Sequence, residues 1–407
     1  MLSRILPAAG PGRVLAVATL LMTVGQGAFM TCSALYFTTV AGLSVPQWEL
    51  GLTIAAAVGL FAGIPLGHLA DRRGPRGTTA VLVALNGLAA AAYLLVGSFA
   101  QFVLVACVFV VMERGSRSAL QAAVAGALKA YDLVSTRAYL RSVTNVGVAL
   151  GAALAGVALN LGSATALRTV LVMDALAFLA SAATLTALPP LPAASPAKGE
   201  HQLAVLRDRP FALVTALSAV LSLPALLLEM VIPLWIAHHT SAPRWMVTVL
   251  FLVNSAGVIA FQVRIAKGVA DLSRAVRAAR LAGGVQAAAC LLFAASSTHA
   301  ALVSVTFLVL AAGVQVYGEM VFAAAAWTIG FDLAPPHRQG QYQGFFFTGY
   351  ALAVMAAPTC LTGTVVGGGT LGWLVPAVLF AAAGLALGPA VGWAERNRPA
   401  VLVASGG

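Results

Sequence analysis

Four of the twelve acidic residues lie deep inside apolar stretches: Glu113, Asp174, Glu229 and Glu319. An ionisable side chain in such a setting is costly to keep, and its usual work is proton transfer, ion binding or gating. Glu113 has Arg117 four residues on, the spacing that puts two side chains on one helix face. The pair reads either as a self-neutralised structural element or as a proton site tuned by the guanidinium. Glu319 has no basic residue near it in sequence, so it either holds a proton or meets a cationic ligand. Glu229 stands just before Pro233, near one end of its stretch, where it suits proton access or an outer gate. For Asp174 the sequence favours a helix-packing hydrogen bond over chemistry. Other chemistries lack their residues. There is no GxxxxGK[ST] loop for ATP, no HExxH, no Cys/His cluster and no TVGYG filter. Cys32, Cys107, Cys290 and Cys360 each sit alone in a separate apolar stretch, without metal or disulfide spacing.

The elements that must position these acids are membrane-spanning helices. Hydrophobic residues make up 60% of the 407-residue chain and charged ones 9%, whereas a soluble domain carries roughly 25% charged residues. A span needs about 20 apolar residues. Twelve such runs can be placed, at approximately 13–40, 47–69, 77–97, 99–128, 138–160, 165–188, 210–237, 245–263, 278–296, 299–331, 341–365 and 370–393. The first run is too long for a signal-peptide core and has no cleavage site after it. The expected fold class is thus an all-α membrane protein with twelve transmembrane helices.

Charge placement orients the spans. With the N-terminus inside, Arg168 and Arg244 fall outside and Arg114 and Arg117 within a span; all the other Lys and Arg fall inside. Such a bias puts both termini in the cytoplasm, and it explains the net charge of +11 without nucleic acid. The longest polar stretch, Pro189–Arg209, divides the chain into an N-terminal bundle over 1–188, a cytoplasmic linker over 189–209 and a C-terminal bundle over 210–407. The halves share a faint echo: Tyr131-Asp132-Leu133 with Arg137 and Tyr139, against Phe331-Asp332-Leu333 with Arg338 and Tyr342.

Between spans two and three runs Gly67-His68-Leu69-Ala70-Asp71-Arg72-Arg73-Gly74-Pro75-Arg76. Asp71 closes a helix, where a carboxylate opposes the helix dipole, so it calls for a partner elsewhere, either a basic side chain or another helix's N-terminus. Gly74 and Pro75 enforce a turn. This loop resembles the signature G-x-L-A-D-R-x-G-R-[RK] of the major facilitator superfamily, matching at Gly67, Leu69, Ala70, Asp71, Arg72, Gly74 and Arg76, with Pro75 in place of a basic residue. The resemblance implies two pseudo-symmetric six-helix bundles and makes Asp71 a conformational latch that meets the N-terminus of span eleven. A degenerate copy, Lys267-Gly268-Val269-Ala270-Asp271 with Arg274, follows span eight; a basic loop of no relation reads equally well.

Span five carries Gly147, Gly151 and Gly156, a small-residue face for close packing. It resembles the G-x-x-x-G-P-x-x-G-G motif of the drug:proton antiporter branch, with Ala152 in place of the proline. The fold implied by the resemblance lines its cavity with spans one, four, seven and ten, which ranks Glu113, Glu229 and Glu319 above Asp174. Gln26, Phe29, Tyr36, Trp235 and Tyr317 read as a substrate wall, or as packing and interfacial anchors. His238 and His239 read as solvated loop residues. The function expected is proton-coupled export of hydrophobic or cationic small molecules, as in multidrug efflux. Uptake symport of a metabolite and a transport-inactive receptor or scaffold are the alternatives. The expected protein is a monomer in the plasma or inner membrane with a small-molecule substrate. It uses no cofactor beyond protons, no metal and no nucleic acid, and it is not an enzyme.

Overall fold

The computed structural model describes residues 10–127, 130–191, 193, 203–269, 271–357, 361 and 363–397, with the side chains of 130–135, 137 and 138 also outside the description. The termini, residues 192 and 194–202 of the expected linker, Ala270, Cys360 and the Tyr131-Asp132-Leu133 side chains therefore lie outside the described residues.

The described chain is helical from end to end. In order the helices are α1 (Pro11–Thr39), α2 (Val45–Gly59), α3 (Gly63–Arg73), α4 (Pro75–Ala92), α5 (Phe99–Ala127), α6 (Ala130–Leu161), α7 (Ala164–Leu185), α8 (Arg209–Ser222), α9 (Pro224–Leu226), α10 (Ile232–His239), α11 (Met246–Lys267), α12 (Leu272–Ala295), α13 (Ala301–Asp332), α14 (Gln339–Ala357), α15 (Gly363–Gly372) and α16 (Leu374–Arg396). Among the described residues ten helical stretches are long and apolar enough to cross a membrane, or eleven if α2 and α3, bent by 47°, form one span. The expected eleventh span, 341–365, is covered instead by α14 and the short α15, neither of which is among those ten. Residues 358–360 and 362, between these two helices, lie outside the described residues.

Prolines shape the helices that bear functional candidates. Pro65 has no N–H to give, and its ring crowds the carbonyl four residues back, which fits the break between α2 and α3. Pro224 and Pro233 do the same to the run from α8 to α10. Between them Leu227–Val231 widens into a π turn, in which the Ile232 N–H donates to the Leu227 carbonyl.

The chain divides into two compact units, Met1–Leu203 with Ala334–Thr348, and Ala204–Leu333 with Gly349–Gly407. In the first unit α1 packs mainly on α6 and α7, and α4 on α5 and α7. Its core is an aromatic cluster: Phe29 stacks on Tyr93 at 5.4 Å, and Phe37 lies 4.7 Å from Phe102. In the second unit α12 packs on α13 and α16. There Trp235 is fully buried, with its indole N–H donating to the Phe293 carbonyl (3.2 Å) and to Ser296 Oγ (3.0 Å). Trp235 is thus core, not an interfacial anchor. His239 stacks on it and reaches the Val366 carbonyl through Nε2 at 3.1 Å, so of the two histidines only His238 is exposed.

Candidate functional site: a signature loop and three sets of carboxylates

Asp71 is buried at the end of α3 and accepts two backbone hydrogen bonds, from Gly340 N at 2.8 Å and Gln341 N at 2.9 Å. Both donors belong to the first turn of α14, where N–H groups lack intrahelical partners and carry the positive end of the helix dipole. All these residues belong to the first unit. The approach is possible because Gly67 and Gly340 are glycines; a Cβ on either would strike the other's backbone. Thr348 Oγ1 adds a bond to the Leu60 carbonyl at 3.1 Å. Gly74 has φ 94°, a left-handed conformation that spares only glycine strain, and Pro75 starts α4 immediately after it. Arg76 donates to the Thr186 carbonyl, while Arg72 and Arg73 are exposed.

The resembling stretch Lys267–Arg274 behaves differently. Asp271 caps the helix that follows it, accepting from Arg274 N at 2.7 Å and Ser273 Oγ at 2.7 Å, with the Arg274 guanidinium at 3.2 Å. The Ser273 hydroxyl first, then the Arg274 amide, hold its carboxyl below the usual range. It is a local N-cap at an exposed helix start, not a second inter-helix contact.

Glu113 and Arg117 are brought together as their spacing predicts. Arg117 Nη2 and Nε lie 2.6 and 3.0 Å from Glu113 Oε1, and Gln26 Nε2 of α1 donates to the same oxygen at 3.2 Å. The arginine is half exposed, so the ion pair is worth about 1 kcal/mol or less. Gln26 was legible only as a polar wall residue on α1; its bond ties that helix to α5.

In the second unit Glu229 occupies the π turn and Glu319 the middle of α13. The two carboxylates are close enough that Glu229 feels the charge of Glu319. Asn254 of α11 donates to Glu319 Oε2 at 3.2 Å. Asn254 escaped the sequence reading, although a carboxamide in the middle of the apolar α11 run was the available signal. Glu229 makes no hydrogen bond or ion pair with the other described residues, and its side chain is exposed. Tyr317, two residues before Glu319, is also exposed.

Asp174 lies apart from these sets, fully buried on α7. The helix-packing hydrogen bond expected for it is missing: neither carboxylate oxygen has a partner among the described residues. Of the small residues on α6, Gly147 meets Thr23, and Gly151 meets the Val24 carbonyl and the Ala28 N. Gly156 is exposed with nothing near it and faces away from α1, while the contact of α6 with α1 continues to Ala155, whose carbonyl accepts from Cys32 Sγ at 3.7 Å. The wall residues Phe29 and Tyr36 are packing residues too: Phe29 belongs to the aromatic cluster, and Tyr36 is buried with its hydroxyl on the Tyr93 carbonyl.

The sequence profile described as Major Facilitator Superfamily matches residues 15–358. No curated protein matches the sequence. Among solved structures the chain is similar to a bacterial homologue of the iron transporter ferroportin (TM-score 0.75, 12% identity, covering 95% of this chain and 99% of that one). It is similar also to the E. coli fucose:proton symporter (0.66, 13%, 93% and 98%) and to the human organic anion transporter TETRAN (0.61, 16%, 94% and 99%). At these identities the likeness speaks to the fold.

Proposed function

The chain belongs to the Major Facilitator Superfamily, a family of transporters and not of enzymes, and on that premise we propose that it exchanges protons for hydrophobic cations. The observation that carries this reading is the pair Glu229 and Glu319. Two acids that interact inside the spans of one unit give a site whose charge either protons or a cationic substrate can neutralise. The π turn that presents Glu229 is a local widening of the kind frequent at functional sites. Asn254 orients Glu319. Glu113, already engaged by Arg117 and Gln26, is the tuned partner in the first unit.

In this reading the cycle alternates access to the site. Asp71, with Gly67, Arg72, Gly74 and Arg76, forms the latch that holds and frees the α14 N-terminus. The close crossing of α6 on α1 at Gly147 and Gly151, similar to the drug:proton antiporter motif, supports export as the direction. The same reading makes the protein a monomer in the plasma or inner membrane, with two bundles and both termini cytoplasmic. The Lys and Arg distribution supports that topology.

The test is a cell assay. Overexpression should lower intracellular ethidium and tetraphenylphosphonium, and collapse of the proton gradient should abolish the effect. Accumulation of either compound under an inward proton gradient would assign uptake symport instead. Purified protein that moves neither compound nor protons in liposomes would refute the proposal.

A further inference from the structure

Three glutamines are buried in apolar helices of the second unit: Gln262 on α11, Gln286 on α12 and Gln315 on α13. A carboxamide in such a place costs free energy unless its polar atoms find partners. Each of the three spends its NH₂ on a main-chain carbonyl of another helix, and each leaves Oε1 without a partner among the described residues. What they do is hold backbone. Gln262 reaches the Met320 carbonyl at 3.4 Å, a long bond. The other two are shorter and form a chain that ends at the carboxylates.

Gln315 Nε2 lies 2.6 Å from the Pro224 carbonyl oxygen. That oxygen already accepts the Leu227 N–H, and its second lone pair is free to take another donor. The π turn Leu227–Val231 opens at this point, with Glu229 at its centre. A side chain set against the helical ladder is one identifiable cause of a distorted helix; a proline, with its missing N–H, is another. Both act here. The main chain of Gln315 is held in turn, since Gln286 Nε2 donates to its carbonyl at 3.0 Å. In an α-helix the same carbonyl accepts from the residue four further on, which is Glu319. Gly318 makes the room, because a Cβ there would lie 2.8 Å from Gln286 Nε2.

Gln315 thus joins the backbones of both carboxylates. Its side chain grips the foot of the turn that bears Glu229, and its main chain lies one turn before Glu319. Glu319 has Asn254 to orient its side chain directly. Glu229 has no such bond among the described residues, so its place is set by its backbone. We infer that Gln315 is the positioning residue of the cation site: through Pro224 it sets where Glu229 stands relative to Glu319, and Gln286 holds it there. Gln315 is buried and acts through the turn, not on the substrate. This role rests on the proton-for-cation exchange proposed above; the clamp on the π turn does not.

Two measurements on the purified full chain separate the claims. Gln315→Met keeps length and bulk and removes the donor. Hydrogen exchange of the amides over Leu227–Val231 should rise about tenfold in it, the scale of one hydrogen bond, while α7 stays as in wild type. Gly318→Ala, which drives the Gln286 carboxamide aside, should raise the same amides. Unchanged exchange over Leu227–Val231 in Gln315→Met overturns the clamp. The second measurement is equilibrium binding of tetraphenylphosphonium in a double-mutant cycle. Gln315→Met should weaken binding about tenfold in the wild-type background and less than about twofold in Glu229→Gln, because its effect passes through Glu229. An equal loss in both backgrounds, which a general loosening of the fold would give, overturns the positioning role, and so does no loss in either. Wild-type protein that binds no tetraphenylphosphonium refutes the exchange reading and the positioning role with it, and the hydrogen-exchange arm still decides the clamp.

Discussion

Asp71→Asn should loosen the start of α14. In the wild type one carboxylate accepts from two adjacent backbone amides, at 2.8 and 2.9 Å, in a buried setting. Asparagine offers one oxygen where two are needed and turns an NH₂ toward an N–H. One hydrogen bond to a charged group is lost, and a buried donor goes unpaired, for a cost of about 3 kcal/mol. That is roughly 150-fold in an opening equilibrium. Hydrogen exchange of the Gly340 and Gln341 amides, followed by mass spectrometry on the reconstituted protein, reads it directly. Both amides should exchange faster by about two orders of magnitude, while those of α12 and α16 stay as in wild type. Asp271→Asn is the internal control: it alters the resembling loop, but asparagine caps a helix nearly as well as aspartate. Exchange at Gly340 and Gln341 that remains within about threefold of wild type would refute the reasoning.

Other expectations follow from the same geometry. Gly67→Ala should raise exchange at the same two amides, because the new methyl meets the Gly340 backbone and no flexible side chain can yield. Gly151→Ala should lower thermal stability by about 1–3 kcal/mol by prying α6 from α1. Gly156→Ala, on an open helix surface, should be neutral or stabilising by up to about 1 kcal/mol; thermal unfolding in detergent compares them. The carboxyl of Asp271 ionises at lower pH when folded than when unfolded, so its cap is complete above the ordinary carboxylate range and is lost as pH falls through the folded value. Exchange protection of the first turn of α12 should accordingly hold through mild acid and drop in stronger acid.

Much of this molecule was legible because a bilayer imposes a simple rule on sequence. Runs of about 20 apolar residues became helices close to their expected positions, and i,i+4 spacing foretold the Glu113–Arg117 pair. The need of Asp71 for an outside partner also followed, since a carboxylate at its own helix C-terminus is electrostatically misplaced. What escaped were features that depend on a second helix. Asn254 and Gln26 find their carboxylates across helix–helix seams separated by 65 and 87 residues in sequence. The expectation that Asp174 forms a packing bond treated burial as though it guaranteed a partner. Gly156 continued a sequence spacing, but it faces away from α1, whereas Ala155 beside it is the residue buried against that helix. Trp235 and His239 were assigned by their place near a helix end, yet the fold covers them with α12, α15 and Trp373.

The central claim is that Glu229 and Glu319 exchange protons for a cation. It is tested most directly by the pH change outside liposomes when tetraphenylphosphonium is offered to wild type, Glu229→Gln and Glu319→Gln. The account predicts proton release in the wild type, none in Glu319→Gln and a diminished release in Glu229→Gln, with all three folded. Proton release of wild-type size in both variants would contradict it.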